Sequence, residues 1–267
     1  MPNVTLNGAS LYYEVHGSGP PLMLVAGLAS DSQSWGHAAW DLARDFLVIA
    51  FDNRGVGRSA QIGIDITIPA MADDGMALLD HLGIGSTYLL GHSMGGFVAL
   101  DCAIRYPSRV TRLVLAGTAA TNSARNRSLF ASWIADLESG TEPRRWWMEL
   151  FPWLFTRQFL EDKDAVDAAV RYALEYPYPQ SAEAFRKQVE SLAWFDRSAG
   201  LAEIKPPVLV VHGRDDRLFL AAESVQMFAA IPTVEVCLIE GAAHSIHLEQ
   251  SKPFCSAIRR FLRPEAG

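Results

Sequence analysis

Long apolar runs, paired cysteines and an excess of basic residues are all missing from this sequence. No apolar run approaches the ~20 residues that a membrane-spanning helix needs, and no basic region followed by an apolar stretch comes after Met1. We therefore expect a cytoplasmic protein with no membrane partner. The formal net charge of −7 at pH 7 also disfavours nucleic acid and anionic membrane surfaces as partners.

Signals for disulfides, metals and nucleotides are equally sparse. Cys102, Cys237 and Cys255 are odd in number, scattered and set in apolar patterns, which predicts buried, reduced thiols. There is no His/Cys cluster with zinc spacing and no P-loop. The stretch 55–57, Gly-Val-Gly, lacks the third glycine and the later acidic residue of a dinucleotide-binding loop. The sequence therefore implies no cofactor.

Apolar runs are what the sequence does contain. Runs typical of buried strands cover 11–15, 22–26, 47–51, 88–90, 113–116, 208–211 and 234–239. Helical patterns separate most of them, which predicts an α/β fold with a mostly parallel sheet covered by helices on both faces. Apolar pairs flank Asn7-Gly8, which is typical of a hairpin. We therefore expect an antiparallel start to the sheet.

The pattern changes between Thr121 and about Gly200, where amphipathic helices and aromatic clusters replace the strands. We interpret residues 121–200 as a helical cap inserted between two parts of one core, 1–120 and 201–267. Trp146, Trp147 and Trp153 are candidate substrate contacts in this cap, although a cap helix must also bury one face on the core. Arg144 and Arg145 are either a carboxylate-binding pair or solvated surface.

The most informative stretch is Gly91–Gly95, a G-x-S-x-G pentapeptide between an apolar run and a small-residue helical pattern. This setting is typical of a nucleophile elbow, in which glycines remove the clashes of a tight turn. Ser93 is then the candidate nucleophile. The N-terminus of the following helix is suited to stabilise a developing oxyanion.

Candidates for an acid and a base follow in the expected order along the chain. The strand pattern 208–211 leads into a polar turn that contains Asp215 and Asp216, and the strand pattern 234–239 leads into a loop with His244. We interpret His244 as the base, with His247 as the alternative. Its role would be to take the Ser93 proton and return it to the leaving alcohol, while a carboxylate orients the ring.

Other polar residues near these patterns are assigned structural roles. We interpret His92 as a packing or loop-bonding residue, because the side chain before the nucleophile points away from it. Asp52 is expected in a turn after a strand, and Asp73 and Asp74 at the start of a helix, where carboxylates cap N–H groups.

Taken together, these motifs resemble those of the α/β-hydrolase superfamily over nearly the whole chain, in its serine esterase and 3-oxoadipate enol-lactonase-like branch. The motifs are 26–28, 52–59, 91–95, 213–216, 113–120, and His244 followed by Glu249 and Pro253. The resemblance implies that Asp216 rather than Asp215 is the acid. It also implies an oxyanion hole formed by the backbone N–H groups of Leu28 and Met94. Ala26 departs from the usual histidine, which affects loop packing rather than the main-chain donor.

These observations predict a carboxylic-ester hydrolase that acts on small, largely apolar substrates through an acyl-enzyme. An aspartate at the elbow would have indicated a dehalogenase or an epoxide hydrolase, whereas serine indicates acyl transfer. Lactone opening of the enol-lactonase type is the alternative chemistry. A different class is a small-molecule receptor or signalling partner with slow turnover, since the loop 31–35 resembles that of such proteins. The partner in each case is a small molecule, and the sequence predicts no oligomeric state.

Overall fold

The computed structural model describes residues 3–60 and 63–263. Its strands are β1 (Asn3–Leu6), β2 (Ala9–His16), β3 (Pro21–Val25), β4 (Leu47–Phe51), β5 (Thr87–His92), β6 (Val110–Ala116), β7 (Val208–Gly213) and β8 (Val234–Ile239). Its α-helices are α1 (Gly36–Leu42), α2 (Ile68–His81), α3 (Met94–Arg105), α4 (Ala124–Glu138), α5 (Pro143–Leu154), α6 (Arg157–Glu161), α7 (Lys163–Leu174), α8 (Ala182–Ala193), α9 (Ala221–Phe228), α10 (Ile246–Glu249) and α11 (Ser251–Leu262).

The strands form one sheet in the order β1-β2-β4-β3-β5-β6-β7-β8. The pairs from β4 through β8 are parallel, whereas β1 pairs antiparallel with β2 and β2 with β4. The hairpin prediction is confirmed: Asn7 (φ 49°) and Gly8 (φ 76°) link β1 and β2 with the positive φ angles of a tight hairpin turn. The predicted α/β architecture with an antiparallel start is therefore confirmed.

Each central strand buries side chains on both faces of the sheet. Met23 and Val25 of β3 belong to a large apolar cluster with α2 and α3, while Leu22 and Leu24 belong to a second cluster with α1 and α11. Successive side chains of a strand point to opposite faces. This explains the continuous apolar runs of the sequence.

Between β6 and β7 the chain forms the helices α4 to α8, which we call the cap segment. It joins the large cluster through Phe130, Trp133, Trp146 and Phe185. An isolated antiparallel β-bridge between Thr121 and Asp196 joins the two ends of the cap segment. Residues of the cap segment and Ser93 line the same cavity. The cap segment therefore lies over the end of the sheet where Ser93 is located. The division of the chain at residues 120 and 200 stays a prediction.

The prediction for Asp73 and Asp74 is wrong, because α2 begins five residues before Asp73. Thr67 is its N-cap and accepts a hydrogen bond from the Ala70 N–H at 3.2 Å. Both carboxylates therefore lie within the helix. Asp74 is fully buried and pairs with Arg54 at 2.6 Å, which fixes the loop after β4.

All three thiols are free, as predicted, but only Cys102 and Cys255 are buried, while Cys237 on the edge strand β8 is partly exposed. Burial raises the pKa of Cys255 to about 11, so this thiol is protonated at neutral pH. In the described part of the chain, none of the helices has the length and apolar character that crossing a membrane requires.

Candidate active site

Ser93 lies at the sharp turn between β5 and α3. Its backbone has φ 54° and ψ −122°, which is unusual for a residue with a side chain. Such a conformation costs about 1–3 kcal/mol and is maintained only by its surroundings. Here the Ser93 N–H donates to the Ala116 carbonyl at 2.9 Å, and the Thr118 hydroxyl donates to the Ser93 carbonyl at 2.8 Å. The turn is thus fixed from the end of β6.

The glycines of this turn are required by close contacts. A Cβ atom at Gly91 would overlap the backbone of Gly95, and a Cβ atom at Gly95 would overlap the Val25 carbonyl. A Cβ atom at Gly27 would lie 3.1 Å from the Ser93 Cβ. Glycine at these positions therefore lets β3, β5 and α3 approach one another and leaves space beside the nucleophile candidate.

His244 and Asp216 meet at the same end of the sheet, although 28 residues separate them. The Asp216 Oδ2 atom lies 2.9 Å from the His244 Nδ1 atom. Its Oδ1 atom accepts hydrogen bonds from the Leu218 and Phe219 N–H groups at 2.8 and 3.0 Å. Both side chains are buried. The carboxylate is therefore held in one orientation and selects the His244 tautomer with the proton on Nδ1.

The structure separates the alternatives that the sequence left open. Asp215 is exposed, whereas Asp216 contacts His244. The His247 Nε2 atom donates to the Ser34 carbonyl at 3.1 Å rather than meeting a carboxylate. Burial lowers the pKa of His247 to about 4, and that of His212, 3.9 Å from Asp216, also to about 4. These two rings are neutral at pH 7.

His92 bonds to the loop of His244. Its Nε2 atom donates to the His244 carbonyl at 2.8 Å, and the two ring centroids are 4.9 Å apart. Burial holds the pKa of His92 well below its usual value. Gly117 leaves space for this pair, since a Cβ atom there would lie 3.3 Å from His92 Nε2 and 3.4 Å from His244 Nδ1. The interpretation of His92 as a loop-bonding residue agrees with this contact.

The backbone donors predicted for an oxyanion are Leu28 and Met94. Met94 is the first residue of α3, so its N–H has no acceptor within the helix. Leu28 follows Gly27 at the end of β3, and both candidates line the cavity with Ser93. The next residue, Ala29, has φ 55°, and its N–H donates to the Gln188 side chain of α8 at 3.3 Å. The cap segment therefore helps to hold this loop.

One cavity of about 640 Å³ opens onto Ser93 and His244. Its walls are mostly apolar, and the cap segment supplies much of the aromatic surface. Cap residues of the wall include Phe130, Trp133, Trp146, Trp147, Phe151, Phe155 and Phe185. No lysine or arginine is among the described residues that line it. This cavity is suited to an uncharged ligand with an apolar group.

The structure contradicts one predicted substrate contact of the cap segment and decides between the two interpretations of its arginine pair. Trp153, seven residues after Trp146 on α5, is partly buried against the large apolar cluster and does not line the cavity. Arg144 pairs with Asp167, and Arg145 pairs with Glu149 at 3.0 Å. Neither arginine lines the cavity, so the alternative of solvated surface is the one that the structure supports.

Several residues of the site carried no sequence signal for their role. The Tyr176 hydroxyl donates to Asp31, which lines the cavity and whose pKa is raised by burial. Gln180 of the cap segment donates to Gln188 at 3.0 Å. Asp31 and Tyr176 are 145 residues apart, so no local pattern marks their contact. In the described residues no group of three or more His, Cys, Asp or Glu side chains is arranged to hold a metal ion.

Comparison with known sequences gives relatives along the whole chain. A protein of Pseudomonas syringae pv. syringae named "Putative carbamate hydrolase RutD" is 31% identical over 256 residues, which are 92% of this chain and 95% of that protein. The protein of the same name from Agrobacterium fabrum is 28% identical over 264 residues, 95% of this chain and 98% of that protein. The similarity therefore includes the cap segment as well as the core.

Solved structures with the same architecture include two enzymes. A thermophilic esterase from Thermogutta terrifontis has a TM-score of 0.86 at 28% identity, covering 98% of this chain and 97% of its own. The enol-lactonase from Burkholderia xenovorans LB400 has a TM-score of 0.87 at 25% identity, covering 98% and 99%. The family model for the alpha/beta hydrolase fold matches residues 20–251. This chain belongs to the alpha/beta hydrolase family, as the motifs at 91–95, at 213–216 and around His244 predicted.

Proposed function

We propose that this hydrolase cleaves carboxylic esters with Ser93 as nucleophile, His244 as base and Asp216 as the acid that orients the base. The observation that carries the proposal is the 2.9 Å contact between Asp216 and His244 at the cavity onto which Ser93 opens. A nucleophile, a base and an orienting carboxylate at one cavity are the features of a serine hydrolase.

In the proposed reaction the Ser93 hydroxyl attacks the ester carbonyl carbon while His244 Nε2 takes the hydroxyl proton. The carbonyl oxygen becomes an oxyanion, which the N–H groups of Leu28 and Met94 stabilise. The C–O bond to the alcohol then breaks, and His244 gives its proton to the leaving alkoxide. Asp216 keeps the ring in place and stabilises the imidazolium that His244 becomes during attack.

Water completes the cycle on the acyl-enzyme. His244 takes a proton from water, the hydroxide adds to the acyl carbon, and the second oxyanion occupies the same two donors. Collapse of this intermediate releases the carboxylic acid and returns the proton to Ser93. The buried neutral rings of His92 and His247 take no proton in this scheme, because the pKa of each is lowered by burial.

The cavity wall supports small, largely apolar substrates. The aromatic side chains of the cap segment, such as Trp147 and Phe151, fit an apolar acyl or alcohol group. A lactone with a free carboxylate is the weaker candidate, because an arginine would be needed to bind it. Arg144 and Arg145 are exposed and paired with acidic residues.

Carbamate hydrolysis is a second candidate, supported by the name of the relatives that are 28–31% identical. A carbamate carbonyl would react with Ser93 in the same steps and would form a carbamoyl-enzyme. The two candidates differ in the bond cleaved and in the group that fills the cavity. A compact carbamate leaves most of the 640 Å³ unfilled, which favours the apolar ester.

The test is steady-state hydrolysis of p-nitrophenyl esters of increasing acyl length, with matched N-alkyl carbamates, by the wild type and by Ser93→Ala. We expect many turnovers on esters by the wild type and none above background by the variant. Equal rates in the two proteins would exclude Ser93. Preference for the carbamates would select the second candidate. A single slow turnover would indicate a small-molecule receptor, the class of protein whose loop the stretch 31–35 resembles.

A further inference from the structure

Glu249 connects the loop that carries His244, which we call the histidine loop, to the cap segment. It is the last residue of α10, five positions after His244. Its Oε2 atom accepts a hydrogen bond from the Ala243 N–H at 2.8 Å. Its Oε1 atom accepts two hydrogen bonds from Thr156, one from the N–H at 2.8 Å and one from the hydroxyl at 2.7 Å. One carboxylate thus bridges the residue before His244 and a cap residue.

A second contact joins the same two segments on the other side of His244. The Ser245 N–H donates to the Leu154 carbonyl at 2.9 Å. Leu154 ends α5, and its side chain lines the cavity. The residues on both sides of His244 are therefore bound to the short cap stretch 154–156. From the core, His92 donates a hydrogen bond to the His244 carbonyl at 2.8 Å.

The chemistry of the carboxylate matters to this arrangement. An ionised glutamate only accepts hydrogen bonds, and here it accepts from three donors. Hydrogen bonds to a charged group are stronger than those between neutral groups. Thr156 is also the N-cap of α6 and accepts from the Phe159 N–H at 3.3 Å, so its hydroxyl has one rotamer in which both bonds form. This makes the bridge directional.

We propose that Glu249 is a positioning residue that holds His244 at the distance from Ser93 that proton transfer requires, by fastening the histidine loop to the cap stretch 154–156. The inference rests on the proposed function. It assigns Glu249 no contact with substrate and no proton to move. Helix α5 also carries Trp147 and Phe151 of the cavity wall. The same hydrogen bonds therefore also fix the position of this wall relative to His244.

The position of a base affects the chemical step more than substrate binding. A displacement of about 1 Å in a catalytic group can lower the rate about a hundredfold. The cavity wall stays intact when Glu249 changes, since Glu249 does not line it. We therefore expect the loss in kcat rather than in KM.

The test compares Glu249→Gln with a matched pair at Thr156. In Glu249→Gln, the amide oxygen can keep the two hydrogen bonds from Thr156. The amide N–H₂ group then faces the Ala243 N–H, so that two donors meet and the hydrogen bond to Ala243 is lost. Thr156→Val removes the hydroxyl donor at nearly constant shape, whereas Thr156→Ser keeps it. Glu240→Gln is the control for the chemical change, because Glu240 is exposed and pairs with Arg214.

All rates are taken with a p-nitrophenyl ester and divided by the concentration of sites titrated with a fluorophosphonate, so that unfolded protein does not count. For Glu249→Gln we expect kcat about tenfold or more below wild type, with KM within about twofold. Thr156→Val should lose kcat in the same sense, and Thr156→Ser and Glu240→Gln should match the wild type.

Wild-type kcat in Glu249→Gln, or equal kcat in the Thr156→Val and Thr156→Ser proteins, would overturn the proposal. So would a rise in KM at constant kcat, which would indicate a substrate contact. If Glu249→Gln does not fold, the Thr156 pair decides. These results differ from failure of the proposed function, in which the wild type itself would not hydrolyse the ester.

Discussion

Replacing Asp216 by asparagine is the sharpest test of the site, because the structure fixes which way the new amide turns. The Oδ1 atom of Asp216 accepts from the N–H groups of Leu218 and Phe219. An asparagine oxygen must remain there, since the amide N–H₂ cannot accept. The N–H₂ group then occupies the position of Oδ2 and faces His244 Nδ1, 2.9 Å away in the wild type.

This orientation forces the wrong tautomer of His244. A donor facing Nδ1 leaves the ring proton on Nε2, the atom that accepts the Ser93 proton in the proposed mechanism. The same replacement in a well-studied serine protease triad lowers kcat roughly 10⁴-fold, which corresponds to about 5 kcal/mol of transition-state stabilisation. We expect a loss of that order for Asp216→Asn, with KM little changed.

The assay is kcat and KM on a p-nitrophenyl ester, with thermal unfolding to check that the variant folds. Asp215→Asn is the matched control, because it makes the same chemical change at the exposed neighbouring residue. The reasoning is refuted if Asp216→Asn keeps more than about a tenth of the wild-type kcat, or if Asp215→Asn loses as much.

Three further outcomes are expected. Gly95→Ala should yield little active protein, because its Cβ would overlap the Val25 carbonyl; normal expression with full esterase activity would contradict this. Trp147→Ala should raise KM for long acyl esters while Trp153→Ala should not, since only Trp147 lines the cavity; equal effects would exclude this assignment. The free energy of unfolding should fall as pH decreases from about 6.5 to about 4, because unfolded His247 binds a proton that the folded protein excludes. His247 contributes roughly 1 kcal/mol per pH unit to this slope, and the lowered pKa values of His212 and His92 add contributions of the same sign. Urea titrations of His247→Phe should therefore show a shallower slope than the wild type, and identical slopes would refute the assignment.

Local glycine chemistry explains why parts of the fold were predictable. The hairpin at Asn7 and Gly8 needs positive φ angles, and the elbow at Ser93 needs glycines where backbones touch. Both requirements leave a short, readable pattern in the sequence. The apolar runs of the parallel strands follow from burial on two faces. These features indicated both the architecture and the end of the sheet where the site lies.

Contacts between distant segments were not predictable in the same way. Nothing near Tyr176 indicates a bond to Asp31, 145 residues away. Glu249 was part of a recognised pattern, but its link to Thr156 depends on how the cap segment folds back. Trp153 fits the aromatic composition of a cavity wall and lies seven residues after Trp146, yet Trp146 lines the cavity and Trp153 does not, a difference that tertiary packing sets. Composition alone does not contain that information.

The charge of the cavity wall bears on what happens after hydrolysis. An uncharged ester would enter a chamber whose described lining carries the carboxyl group of Asp31 and no lysine or arginine. Cleavage of such an ester would convert the acyl group into a carboxylate anion, for which the described lining supplies no lysine or arginine. A cavity without a lysine or arginine would bind this anion weakly, so accumulated acid should inhibit the enzyme weakly. The change of charge on cleavage would thus help to empty the cavity for the next substrate.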